Sequence, residues 1–117
     1  VMTRLTKFFI YGNHFSNHLP GAGFTGMTLL EKLDLRRNKL TGMLPSEGLQ
    51  GKSMLVALEA NDNQFSNSLP GHGLKGMTAL RDLLLNDNRF TGALPGPAFR
   101  FMTSIDALDI ERNRFAA

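Results

Sequence analysis

The chain has 117 residues, 42% of them hydrophobic, with 13 basic and 10 acidic residues and a formal net charge of +3. That size fits one folded domain, and the apolar share is ordinary for a packed chain. No apolar run approaches the ~18 residues that cross a bilayer, no signal-peptide pattern is visible, the absence of cysteine leaves no redox compartment to read, and the charge excess is mild for a nucleic-acid binder.

The first element in chain order is LTKFFIYGN, residues 5–13, where apolar side chains alternate before an Asn. Alternation over so short a stretch predicts a β-strand with one buried face. FSNHLP, residues 15–20, predicts a second extended segment ending at Leu19-Pro20, since proline fixes its own φ and holds the residue before it extended. GAGFTG, residues 21–26, fits G-x-G-x-x-G, as does GHGLKG at 71–76. A dinucleotide loop needs that motif after a buried strand and at the mouth of a helix. Here it follows Leu-Pro and no long helical pattern succeeds it, so the glycines are read as tight turns and no nucleotide is expected.

The same elements then return. Strand patterns recur as LEKLDLRRN (30–38), LVALEANDN (55–63), LRDLLLNDN (80–88) and IDALDIERN (105–113). Leu-Pro returns at Leu44-Pro45, Leu69-Pro70 and Leu94-Pro95, a period of 25 residues without insertion. A fixed period of this length signals a solenoid in which each unit adds one strand to a parallel sheet. Five strands are predicted, near Phe9, Asp34, Glu59, Leu84 and Asp109. The repeats are 1–25, 26–50, 51–75, 76–100 and a partial 101–117, forming one domain. The chain opens in mid-repeat, with Met2-Thr3 in the phase of Met27-Thr28, and stops before a fifth Leu-Pro, so it is read as a fragment of a longer protein.

Asn13, Asn38, Asn63, Asn88 and Asn113 share one phase. Where the chain leaves the sheet its backbone groups lose ladder partners, and an inward Asn supplies both donors and an acceptor. The five are predicted to form a structural asparagine ladder. Gly42 and Gly92, with Asn17 and Asn67 in the same phase, are expected at positive φ. Phe24, Leu49, Leu74 and Phe99, followed by Met27, Met77 and Met102, should pack beneath the convex side on short helical or 3₁₀ turns. Repeat three departs from the pattern: Lys52 stands in the methionine phase with Met54 displaced, and Ala60 replaces a leucine or isoleucine, which predicts a thin core there.

On these residues the chain resembles the leucine-rich repeat family, whose signature is L-x-x-L-x-L-x-x-N. The second segments LTGMLP and FTGALP are similar to the L-x-G-x-[IL]-P subclass of plant receptor-kinase ectodomains and polygalacturonase-inhibiting proteins. The T-L-P preference and the recurring Met also resemble trypanosomatid surface antigens and proteophosphoglycans. The resemblance implies an α/β repeat solenoid, a right-handed superhelix with a concave parallel sheet. It also implies protein or glycan recognition, at the cell surface or outside the cell. Two of the second segments have Asn where the family has Gly, and cysteine-bearing caps are missing.

Outward positions of the strands define the candidate ligand-binding face: Phe9, Tyr11, Lys32, Asp34, Arg36, Glu59, Asn61, Leu84, Asn86, Asp109 and Glu111. Adjacent Asp34 and Glu59 should repel by about 1 kcal/mol or less in water, with Arg36 and Lys32 available to offset it. Large apolar groups such as Phe9, Tyr11 and Leu84 on a wet face, with Arg nearby, suit an interface hot spot. Beside this face runs a mostly basic column of His14, Lys39, Gln64, Arg89 and Arg114, suited to sulfate or phosphate or simply to solvation. His14 and His18 lie in a turn and share no helix face, so no zinc pair is expected. No catalytic set, metal or cofactor is expected. The other class of function consistent with the repeats is a structural spacer or coat with no specific ligand.

Overall fold

The computed structural model describes residues 4–10 and 12–116. In chain order the elements are β1 (Lys7–Phe9), β2 (Ser16–His18), β3 (Lys32–Asp34), β4 (Lys39–Gly42), α1 (Ser46–Leu49), β5 (Ala57–Glu59), β6 (Gln64–Asn67), α2 (Gly71–Leu74), β7 (Asp82–Leu84), β8 (Arg89–Phe90), α3 (Gly96–Phe99) and β9 (Ala107–Asp109). They form a solenoid whose five-stranded sheet runs β1-β3-β5-β7-β9 and whose second, four-stranded sheet runs β2-β4-β6-β8. All pairings are parallel. Strands of the first sheet are in register at 25 residues: Phe9 lies across from Asp34, Asp34 from Glu59, Glu59 from Leu84 and Leu84 from Asp109. The residues expected near the strand centres are thus their last residues.

The core lies between the two sheets and the short helices. Leu33, Leu58 and Leu83, at the strand centres, are at most 1% exposed, and burying each leucine stabilises by ~2 kcal/mol. Phe65, Phe90 and Phe115 stack face to face, with centroids 6.0 and 6.1 Å apart. Met27, Met77 and Met102 are buried, as their phase predicts. Lys52 fills the same column at 2% exposure, while Met54 is exposed. The apparent slip of phase is therefore a substitution in place. The lysine's four-carbon stem substitutes for methionine, and burial pulls its amine pKa below the ordinary value. Ala60, where the other repeats carry a larger side chain, is also fully buried.

The asparagine column points inward and is hydrogen-bonded in the same way turn after turn. Asn63 Nδ2 donates to Leu35 O, Ala60 O and Asn61 O at 2.8–3.3 Å, and Asn63 Oδ1 accepts Leu40 N–H at 3.1 Å. Asn88 repeats this with Ala60, Leu85, Asn86 and Phe65, and Asn113 with Leu85, Ile110, Glu111 and Phe90. Asn38 shares the donor pattern, reaching back to Ile10 O. Asn13 does not match the expectation of a buried rung. It donates to Ile10 O at 2.9 Å but is exposed, because it belongs to the outermost turn.

Just before each Asn the backbone is left-handed, at Gly12, Arg37, Asp62, Asp87 and Arg112, with φ between 54° and 72°. Four of those five are not glycine, so the turn holds them in a conformation L-residues rarely adopt. Asn17, Gly42, Asn67 and Gly92 also have positive φ (64–78°), matching the sequence expectation.

The G-x-G-x-x-G copies now have a physical account. Gly71–Leu74 is a single helical turn, α2, stacked on α1 of the preceding repeat. A Cβ on Gly73 would sit 2.9 Å from Ser46 Cα and O, so only glycine lets the two turns approach. In α1, Gly48 N–H donates to Gly21 O at 2.7 Å. Gly48 and Gly73 thus serve repeat stacking, and Gly26, at φ 93°, serves a tight turn.

Candidate ligand-binding face

The first sheet's outward residues form three columns. Lys7, Lys32, Ala57, Asp82 and Ala107 are in register, as are Phe9, Asp34, Glu59, Leu84 and Asp109. Beyond the strands come Arg36, Asn61, Asn86 and Glu111. The backbone bonding continues through them: Arg37 N–H donates to Asn61 O and Asp62 N–H to Asn86 O, each at 3.1 Å. Tyr11, the first member of this column, lies outside the described residues.

A cavity of about 250 Å³ opens in the first half of the sheet, lined by Phe9, Lys32, Leu33, Asp34, Arg36, Ala57 and Glu59. It brings together five of the residues predicted from sequence. Small Ala57 beside Lys32 leaves the recess, and Phe9 stands at its edge, 56% exposed. Sequence reasoning missed the role of Ala57, although its small size between Lys32 and Asp82 was a readable sign. Asn61, Leu84, Asn86, Asp109 and Glu111 share the face but do not line the cavity.

The charges are organised around Arg36. Its guanidinium donates from Nε to Asp34 Oδ1 and from Nη2 to Asp34 Oδ2, both at 2.9 Å. Arg36 Nε also lies 3.0 Å from Glu59 Oε2, and Arg36 N–H donates to Asp34 Oδ1 at 3.1 Å. One expectation is corrected: Asp34 was expected to face solvent but is buried at 6% exposure. Arg36, read from the sequence as available to offset the repulsion, contacts both acids. Alternation told which face Asp34 occupies, and the arginine two residues later folds over it. The clamp neutralises Asp34–Glu59 repulsion in a partly desolvated place, where a bidentate guanidinium is most effective. Lys32 stays exposed.

Further along, Leu84 is half-buried where full exposure was expected. Asn61 Nδ2 donates to Asp62 Oδ2 at 2.6 Å, and its Oδ1 is buried without a hydrogen-bond partner among the described residues. Arg112 Nη2 donates to Asp87 Oδ2 at 2.8 Å across two repeats, and Asp87's carboxyl is held below its ordinary pKa by Arg112 and then Asn86. Among the described residues no group of three or more His, Asp and Glu is placed to hold a metal ion, and no helix is long and apolar enough to cross a membrane.

The leucine-rich repeat family model matches residues 29–49. No curated protein matches the chain. Among solved structures, the chain is similar to the ectodomain of the plant membrane receptor kinase GASSHO1/SCHENGEN3 from Arabidopsis thaliana, solved in complex with CASPARIAN STRIP INTEGRITY FACTOR 2. The TM-score is 0.88 and the identity 30%, over 97% of this chain and 13% of that one. It is similar also to the plant peptide hormone receptor RGFR1 in complex with RGF2, at 29% identity and TM-score 0.88, over 97% of this chain and 18% of the receptor. The Arabidopsis receptor kinase HAESA, solved with the peptide hormone IDA and the co-receptor SERK1, shares the fold at 23% identity and TM-score 0.85, over 97% and 18%. The chain thus spans a small part of each of these ectodomains. Two parallel sheets, short convex helices, the asparagine column and the matched repeat together identify its fold as a leucine-rich repeat solenoid.

Proposed function

We propose that the chain is a recognition module, part of a cell-surface or secreted protein, that binds a protein segment along its first sheet. The observation that carries this is the recess at Ala57. An exposed aromatic, a clamped carboxylate pair and a free lysine converge there within one cavity. A spacer or coat accounts for solubilising charges on this sheet but not for a recess that gathers them around Ala57. Protein interfaces favour such aromatic and arginine anchors set in pockets. Of the similar plant receptors, one was solved in complex with CASPARIAN STRIP INTEGRITY FACTOR 2 and one, a peptide hormone receptor, with RGF2, which supports a protein ligand over a glycan for this face.

The test is selection of a displayed random-peptide library on the chain, followed by affinity measurement on variants. Phe9→Ala with Glu59→Gln should weaken the selected peptides at least tenfold. Lys75→Ala with Arg100→Ala, on the convex side, should leave them unchanged. Binding lost only in the convex pair would move the site to the turns and refute the reading.

A further inference from the structure

The second sheet carries an unassigned feature. Along β4, Lys39 is exposed, Leu40 buried and Thr41 half-buried, so Lys39 and Thr41 face outward while Leu40 fills the core. The same alternation places Gln64 and Ser66 outward on β6, and Arg89 on β8. Arg114 N–H donates to Phe90 O at 2.8 Å, which continues the pairing into the last turn. The register sets Ser16 beside Lys39, Thr41 beside Gln64 and Ser66 beside Arg89. Hydroxyls therefore stand beside Lys39 and Arg89 on this face, with Thr41 and Gln64 between them.

The charge distribution is one-sided. Residues 13–20, 38–45, 63–70, 88–95 and 113–117 include no Asp or Glu, and their cations are Lys39, Arg89 and Arg114. The chain has 13 basic residues and 10 acidic ones, so removing these three leaves ten of each. The entire formal charge of +3 thus resides on the second-sheet face. Among the described residues none of the three cations has an ion-pair partner, whereas Arg36, Arg81 and Arg112 all do.

We propose that this face binds a linear sulfated polysaccharide. Unpaired arginines match the planar oxygen edges of sulfate, and neighbouring hydroxyls add donors to the same oxygens. Nucleic acid is disfavoured because the outward positions carry one imidazole, His18, in register with Thr41, and no series of aromatics on which successive bases would stack. Folded protein is disfavoured because the outward strand positions are polar, and the exposed apolar side chains of these segments, Phe15, Met43 and Leu94, stand outside the strands. A hydrated anionic chain needs neither. The surface is distinct from the recess at Ala57, so the two proposals stand or fall separately.

The probe is heparin, with dextran, polyuridylate RNA and phosphatidylserine vesicles as comparators, measured by titration over a range of salt. The parent chain should bind heparin at low ionic strength and ignore dextran. A plot of log affinity against log salt should have a slope of roughly −2 to −3, from about −0.7 to −0.9 per neutralised anion for three cations. Lys39→Gln/Arg89→Gln/Arg114→Gln should reduce affinity at least tenfold with an unchanged urea midpoint. Arg4→Gln/Lys75→Gln/Arg100→Gln, which removes the same charge elsewhere, should retain it. If the first triple variant does not fold, Lys39→Gln and Arg89→Gln are measured singly and each should lower the slope by about one. Equal loss in both triples, equal or tighter binding of RNA or vesicles, or no heparin binding at low salt would overturn the proposal.

Discussion

Replacing Arg36 with Ala should destabilise the fold, although the residue lies on an outward column. Its guanidinium makes two hydrogen bonds to Asp34 and contacts Glu59. The side chain of Asp34 is 8% exposed and that of Arg36 34%. Removing one partner of a fully buried pair costs about 3–5 kcal/mol. The pair here is only partly buried, and Asp34 keeps the Arg36 backbone N–H at 3.1 Å, so the hydrogen-bond loss is nearer ~1–2 kcal/mol. Unscreened repulsion between acids on adjacent strands adds about 1–2 kcal/mol at an intermediate dielectric. The expected loss is about 2–4 kcal/mol, a fall in Tm of roughly 10–15 °C for a domain of this size. Urea titration and calorimetry on the variant measure it. Asp34→Asn in the Arg36→Ala background should recover most of the loss, because it removes the stranded carboxylate. Arg36→Ala within ~0.5 kcal/mol of the parent, the usual range for open surface sites, would refute the clamp.

Other expected outcomes concern the solenoid itself. Asn63→Ala should lose about 2–4 kcal/mol in urea, since Leu40 N–H and the carbonyl of Leu35 lose buried partners. Asn67→Gly should be neutral or stabilising because φ there is 64°. Gly73→Ala should cost about 1–3 kcal/mol by pushing α2 off Ser46, and a Tm equal to the parent's would contradict close stacking. Lys52→Met should raise Tm and remove a pH dependence. Burial lowers the folded lysine's pKa, so between that lowered value and about 10.4 the unfolded chain binds more protons. Parent stability should rise with pH across that window, and the Met variant's rise should be smaller. Identical slopes would contradict the burial of Lys52.

Much of this fold was legible because its chemistry repeats. Leucines two apart, an Asn at a fixed offset and Leu-Pro every 25 residues each demand the same local structure, and five copies leave little room for another arrangement. The concave columns followed from alternation alone. Less legible were features that depend on one side chain covering another. Asp34 reads as an outward acid until Arg36 folds over it, and Lys52 reads as a slip until its stem is seen in the methionine column. Left-handed Arg37 and Arg112 carry no sign in their own side chains; in that phase only Gly12, Asp62 and Asp87 hint at positive φ. The extended second segments gave no hint that they pair, because three or four residues are too few to show a register. That pairing is what gathers Lys39, Arg89 and Arg114 onto one face.

The central claim is that the recess on the first sheet is the binding surface. Backbone amide hydrogen exchange of the chain, with and without a saturating selected peptide, tests it most directly. The account predicts added protection confined to Phe9, Lys32, Leu33, Glu59 and their strand neighbours, with α1, α2 and α3 unchanged. Protection concentrated in the convex turns, with β1, β3 and β5 unaffected, would contradict it.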